Sequence, residues 1–228
     1  YYDVETGKDT IELLEALGYD VRITKHEESG RSYISKGLLD SAKKIIDFNV
    51  AHFKDLIDES SPLVGIEPSA ILTFRDEHLR LASDKKAAQA INQYTFTIEE
   101  FIAREFEKGN ISSAAFTTEK GIFKIHGNCQ QKSLSTMKPT ASMLTIPENY
   151  SATIISSGCC GMAGSFGYEE EHYDLSMKVG EDTLFPKIRN TEKSITIVAP
   201  GTSCRHQIKD GTGTKALHPV RVLKQALI

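Results

Sequence analysis

Short apolar runs alternate with amphipathic stretches along the whole of this chain, and that alternation is the pattern of an α/β fold with largely parallel strands. Strands are expected over 20–24, 63–67, 113–117, 122–126, 152–156 and 194–199. Helices are expected over 9–17, 36–58, 97–108, 168–187 and 216–227, with Gly18 and Gly109 placed to stop the first and third. The stretch 84–107 reads as helical, and no Pro-, Gly- or Ser-rich linker divides the chain, so two halves should pack together.

The order of elements repeats. In the first half "DVRITKHEESGRSYISKGLLDSAKKIID" is followed by "PLVGIEPSAILTFRDE"; in the second "ATIISSGCCGMAGSFGYEEEHYDLSMKVG" is followed by "ITIVAPGTSCRHQIKDG". Each half reads strand, tight Gly turn, helix, strand, Pro turn, helix. Gly30 precedes Ser69 by 39 residues and Gly161 precedes Ser203 by 42, which pairs Glu28 and Ser29 with Cys159 and Cys160, and Ala70 with Cys204. The expected architecture is two pseudo-symmetric halves, each a small largely parallel sheet with flanking helices. The first half spans 1–110 and has no cysteine; the second spans 111–228 and holds all four, Cys129, Cys159, Cys160 and Cys204. One site is expected, in the second half.

The chain has 228 residues, a formal charge of −4 and basic residues dispersed rather than massed, so the electrostatic footprint of nucleic-acid binding is missing. No apolar run reaches the roughly 18 residues of a membrane helix and no signal peptide is visible, which makes the expected address cytoplasmic. The opening "YYDVETGKDTIELLEAL" has no initiator methionine and reads as a piece of something longer.

Adjacent Cys159 and Cys160 are poorly placed for a mutual disulfide, because neighbouring Cα atoms stand about 3.8 Å apart, closer than the spacing disulfides prefer. In an open α/β sheet, loops leaving the C-terminal ends of parallel strands converge on one crevice. Cys129, the Cys159–Cys160 pair and Cys204 each follow such a strand. Four thiolates suit an iron–sulfur cluster or a zinc ion, and the small residues Gly158, Gly161, Ala163 and Gly164 would let backbone N–H groups approach the sulfurs. The separations of 30 and 44 residues do not choose between metals. "GxxGxxG" at Gly161, Gly164 and Gly167 lacks the spacing of a dinucleotide loop.

The arrangement Cys-X(n)-Cys-Cys-Gly-X(m)-Cys resembles the CCG, or cysteine-rich, module found in heterodisulfide reductase, in the iron–sulfur component of glycolate oxidase and in anaerobic glycerol-3-phosphate dehydrogenase. "ESGRSYISKGLLDSAKK", "VGIEPSAILTFRDE", "CCGMAGSFGYEEEHYDLSMKVGE" and "GTSCRHQIKDGTGTKALHPVRVL" are similar to the C-terminal part of FAD-linked oxidases of the D-2-hydroxy acid dehydrogenase type. The resemblance covers nearly the whole chain. It implies a tandem CCG pair on one polypeptide with a flavin domain and a ferredoxin-like segment. It also implies an iron–sulfur electron-transfer function, with FAD held outside this chain and an unknown electron acceptor. Cys129, Cys159, Cys160 and Cys204 would bind a 4Fe–4S cluster. The family's fullest pattern ends in CxxC, whereas Cys204 here is followed by Arg205, His206 and Gln207, which favours four thiolates over five.

Two other readings use the same thiols: a zinc-stabilised interaction domain and a thiol-based redox sensor. His126, His172, His206 and His218 invite a mixed site, with His206 the best placed in sequence and His172 expected to be an ordinary helix-face residue. Glu28, Arg31 and Lys36 form either a solvated rim or a contact for an anionic substrate or the flavin domain. Geometry separates the metals: zinc ligands hold sulfurs roughly 3.8 Å apart, whereas a 4Fe–4S centre spreads them to about 6 Å. The wide arrangement is the expectation.

Overall fold

Parallel strand pairing divides the structure into two small sheets. The computed structural model describes residues 3–228. The first half runs α1 (Val4–Ala16), α2 (Arg31–Ser35), α3 (Leu39–Phe53), β1 (Leu63–Gly65), α4 (Pro68–Ile71), α5 (Glu77–Leu81), α6 (Lys85–Gln93), β2 (Thr95–Thr97) and α7 (Ile98–Glu107). The second half runs β3 (Gly121–Ile125), α8 (Cys129–Leu134), α9 (Lys138–Leu144), β4 (Tyr150–Ile154), α10 (Tyr173–Arg189), β5 (Thr196–Val198), α11 (Thr202–Thr212) and α12 (Pro219–Gln225). Strands β1 and β2 pair in parallel, and β4-β3-β5 form a parallel three-stranded sheet. The α/β class with two small parallel sheets and flanking helices agrees with the sequence pattern. No helix among the described residues is long and apolar enough to cross a membrane.

Several expected elements differ. Residues 20–24 alternate in the manner of a strand yet form none, because no neighbouring strand offers a ladder, and Ile23 is exposed. Residues 113–115 close a 3-10 turn in which the Ser112 hydroxyl accepts from the Ala114 N–H, a local bond that competes with strand pairing. The stretch 84–107 is interrupted by β2, whose Thr-Phe-Thr sequence suits a pleated edge and pairs with β1. The long helix expected over 36–58 is confined to α3, and Asp58 instead accepts from Ser60 and Ser61 in a turn. α10 starts later than expected, after two 3-10 turns at 166–168 and 170–172.

Two turns match across the halves. Gly30 and Gly161 both have positive φ, 79° and 99°, and each abuts the following long helix, at Ala42 of α3 and Ser176 of α10. Seven residues further along each helix, a side chain takes the backbone N–H three residues before the glycine. Asn49 Oδ1 accepts from the Glu27 N–H at 3.1 Å, and Thr183 Oγ1 accepts from the Gly158 N–H at 3.1 Å. Beyond β5, Leu217 bridges Val198 in parallel, as β2 lies beside β1.

Helices cross between the halves. α1 packs on α12, and α9 packs on α7. The apolar cluster at this junction includes Leu13, Leu14, Ile98, Ile102, Met143 and Leu223, with Leu13, Ile98, Ile102, Met143 and Leu223 fully buried. Burying such a side chain contributes roughly 1.5–3 kcal/mol, so the halves are held by a shared core rather than tethered. Glu67 adds a polar tie, accepting from Ser69 at the start of α4 and from the Thr202 N–H at the start of α11. Among groups with opposite expected signs of pH dependence, buried Glu99 stands out on α7.

Burial, with neither carboxylate oxygen finding a hydrogen-bond partner among the described residues, pushes Glu99 up to about 7 from an ordinary 4.5. Below the ordinary value the carboxyl is neutral in folded and unfolded chains alike; above it the unfolded chain ionises first, so stability falls as pH rises from 4.5 to about 7 and then levels. Buried His78 and His218, lowered by burial to about 4 and about 3, act oppositely: their contribution is lost as pH falls from their ordinary 6.5 towards those values. Comparing Glu99→Gln with the parent protein cancels the histidines. The variant is expected to be more stable by roughly 2 kcal/mol at pH 8, with the gain vanishing near pH 4, measured by urea unfolding. An equal gain at both pH values would show that ionisation of Glu99 is not the cause.

Candidate metal centre

The register of the second sheet sets Ile125, Ile154 and Val198 side by side at the ends of β3, β4 and β5. All three strands run the same way, so the chain leaves them along one edge. β3 runs through His126, Gly127 and Asn128 into α8, where Asn128 caps the helix by accepting the Gln130 N–H at 2.9 Å and Cys129 occupies the first turn. β4 leads into the 155–168 loop carrying Cys159 and Cys160, and β5 leads through Gly201 into α11, which carries Cys204 in its first turn.

The four thiols are neighbours. Cys160 Sγ and Cys204 Sγ are 3.5 Å apart and both residues are buried. Cys159 is half-buried and Cys129 exposed, and the Cys129 thiol is within hydrogen-bonding reach of Cys159. All four are free thiols. Cys159 is held well below the ordinary thiol range by hydrogen bonds from the Cys129 and Cys160 thiols and from the N–H groups of Gly161 and Ala163. Cys129 and Cys160 are pushed up by the same contacts together with burial. Cys204 is lowered, first by the Cys160 hydrogen bond and then by His126. The Gly161 N–H lies 3.3 Å from the Cys159 sulfur, and Gly161, Ala163 and Gly164 all have positive φ, the backbone form that turns successive N–H groups towards one anion.

The Cys160–Cys204 separation corrects one expectation, since 3.5 Å is the narrow spacing and not about 6 Å. The physical reason is a protein interior that packs neighbouring thiols to van der Waals or S–H···S contact. The donor set itself, four thiols and an imidazole on three strand-end loops, suits soft thiolate-binding metals.

His126, rather than His206, joins the sulfurs. One of its ring nitrogens and the two sulfurs of Cys160 and Cys204 all lie within 4.8 Å of one another. His206 is exposed, with its Nδ1 2.7 Å from the Tyr168 hydroxyl, and His218 is a buried cap whose Nδ1 accepts the Val220 N–H. His172 precedes α10, stacked on Phe166 at 4.1 Å and bonded to Glu169, rather than standing on an open helix face. Gln207, three residues after Cys204, is buried and donates to Ser176 Oγ at 2.8 Å. Sequence reasoning named His126 without preferring it; the missed signal was its position directly after β3, three residues before Cys129.

The first-half charges are largely satisfied within the protein. Arg31 pairs with Glu77 and donates to the Ser69 carbonyl, Glu28 accepts from Ser32, and Lys36 reaches across to Glu169 beside the cysteine loop.

No protein-family model matches the chain. It is 27% identical over its whole length to D-2-hydroxyglutarate dehydrogenase of Escherichia coli (strain K12), of which it spans 22%. It is 25% identical over its whole length to one component polypeptide of the anaerobic glycerol-3-phosphate dehydrogenase of the same organism, of which it spans 56%. Four-fifths of the chain is 21% identical to lactate utilization protein A of Bacillus cereus (strain G9842), covering 80% of that protein. The chain thus spans only part of the first two of these relatives. Over its whole length the chain is similar to a part of D-2-hydroxyglutarate dehydrogenase and of the glycerol-3-phosphate dehydrogenase component, consistent with the CCG group of FAD-linked oxidases that its motifs resemble.

Proposed function

We propose that this chain is the iron–sulfur electron-transfer part of an FAD-dependent D-2-hydroxy acid oxidoreductase. The observation that carries the reading is the meeting of Cys129, Cys159, Cys160 and Cys204 at one edge of the second sheet, delivered by three strand ends, the adjacent pair Cys159–Cys160 by one of them. A 4Fe–4S cluster would supply one-electron storage there. Oxidation of a 2-hydroxy acid to the 2-oxo acid releases two electrons and two protons, which a flavin takes as a pair; passing them singly to an acceptor is the task such a centre performs. This chain's own groups would hold and tune it: thiolates as ligands, and the N–H groups around Gly161 and Ala163 as donors to sulfur. Flavin and ferredoxin-like domains of the same polypeptide are its proposed partners, and the proposed setting is cytoplasmic. Repeats over 1–110 and 111–228 account for the matched Gly30 and Gly161 turns, with the first repeat bare of thiols.

A zinc centre on the same thiolates is the second reading, favoured by the 3.5 Å Cys160–Cys204 spacing. Anaerobic purification followed by iron, sulfide and zinc analysis with visible absorption decides between them. Iron and sulfide in near-equal amounts with a brown chromophore support the first; stoichiometric zinc in a colourless protein supports the second; metal-free protein in every preparation sinks both.

The chain by itself is expected to oxidise no 2-hydroxy acid, since removal of a hydride needs a flavin or nicotinamide and no phosphate-cradling Gly loop is present to hold one. Dye-coupled assays across short 2-hydroxy acids should give no turnover above the buffer rate. Turnover by the purified chain would refute this.

A further inference from the structure

We infer that His126 is a metal ligand, its Nε2 standing beside the thiolates of Cys160 and Cys204. The inference rests on the metal-centre reading above and adds a nitrogen to a set otherwise made of sulfur. His126 is fully buried, and its Nε2 is shut off from solvent and makes no well-formed hydrogen bond among the described residues, the imidazole lying beside the Cys204 sulfur. Buried polar atoms are seldom left unpaired, so this one needs an occupant for its lone pair or its proton. The other ring nitrogen is already committed: Nδ1 lies 2.9 Å from Ser157 Oγ. An imidazole fixed through one nitrogen by a second residue, with the other aimed at soft donors, is the disposition of a metal-bound histidine.

Three separate strand ends build the arrangement. His126 directly follows β3, its backbone N–H still donating to the Val198 carbonyl of β5 at 2.8 Å. Ser157 and Cys160 follow β4, and Cys204 follows β5. The ring is therefore set by the sheet, not by a mobile surface loop. A ring nitrogen of His126 and the Sγ atoms of Cys160 and Cys204 lie within 4.8 Å of one another, close enough for small side-chain shifts to bring all three onto one metal ion with bonds of about 2.0–2.3 Å. Imidazole with thiolates is a donor set for zinc, and imidazole can replace thiolate on iron in an iron–sulfur centre. Cys159 and Cys129 would extend the same set towards solvent.

The test uses X-ray absorption on the whole chain, reconstituted anaerobically with ferrous iron and sulfide and, in parallel, loaded with zinc alone. At the edge of the metal retained, one imidazole nitrogen at about 2.0–2.1 Å is expected beside the sulfur shell. The nitrogen shell should disappear in His126→Ala and persist in His206→Ala, and metal affinity should fall about 10- to 100-fold in the first variant alone. His126→Gln, closer to the lost ring in size, covers the case in which alanine unfolds the buried site. The wild-type spectrum decides on its own in any event. A sulfur-only shell around bound metal overturns the role of His126 and leaves the proposed function standing. Failure to retain either metal overturns both.

Discussion

Gly161→Ala is expected to cost about 4 kcal/mol, a large part of the roughly 5–15 kcal/mol that holds a domain folded. At φ 99° an L side chain is strained by itself, and a Cβ there would sit 2.0 Å from the Ser176 carbonyl oxygen and 2.9 Å from its carbon. The obstacle is helix backbone and cannot swing aside. Nor can the loop retreat cheaply, because Ser176 Oγ donates to the Gly161 carbonyl at 2.9 Å and accepts from Gln207 Nε2 at 2.8 Å. Left-handed strain adds roughly 1–2 kcal/mol and overpacking about 1–3 kcal/mol more, with lost buried hydrogen bonds on top. Gly213→Ala is the control: φ is 73° with nothing within 4 Å of the added atom, so only about 1 kcal/mol is at stake. Urea midpoints of the two variants separate strain from collision, and equal losses would mean that the approach to Ser176 is looser than described.

Cys160→Ser should strip most of the bound metal, a fall in affinity of at least about tenfold, while Ala70→Cys changes little. Cys160 is buried, touches Cys204 at 3.5 Å and also neighbours Cys159, so its loss removes the thiol shared between the two. A serine hydroxyl keeps the shape but is a poor soft-metal ligand at neutral pH. On the proposed repeat Ala70 is the first-half counterpart of Cys204, with Glu28 and Ser29 in place of the paired cysteines, so a thiol there is expected to find no companion. Metal-to-protein ratios after anaerobic reconstitution give the readout. Full metal retention in Cys160→Ser would remove this residue from the ligand set.

The repeated strand–turn–helix pattern and the positions of the glycines were enough to identify an α/β chain in two halves and to put the thiols at strand ends. Those features are local: backbone conformation at Gly161 and the periodicity of α3, α7 and α10 depend on nearby residues and on which side chains must leave water. What local pattern could not decide was pairing. Residues 20–24 carry a strand's alternation without a neighbour, whereas Thr95–Thr97, only three residues long, became β2 because β1 lay alongside. The exchange of helices, α1 onto α12 and α9 onto α7, likewise depends on apolar faces meeting between segments far apart in the chain. At the site, four cysteines were legible as a group, but the choice of His126 over His206 was made by the sheet. Distance along the chain favoured His206, two residues from Cys204; parallel alignment of β3 with β5 turned His126 inward, and the first turn of α11 left His206 facing Tyr168 at the surface.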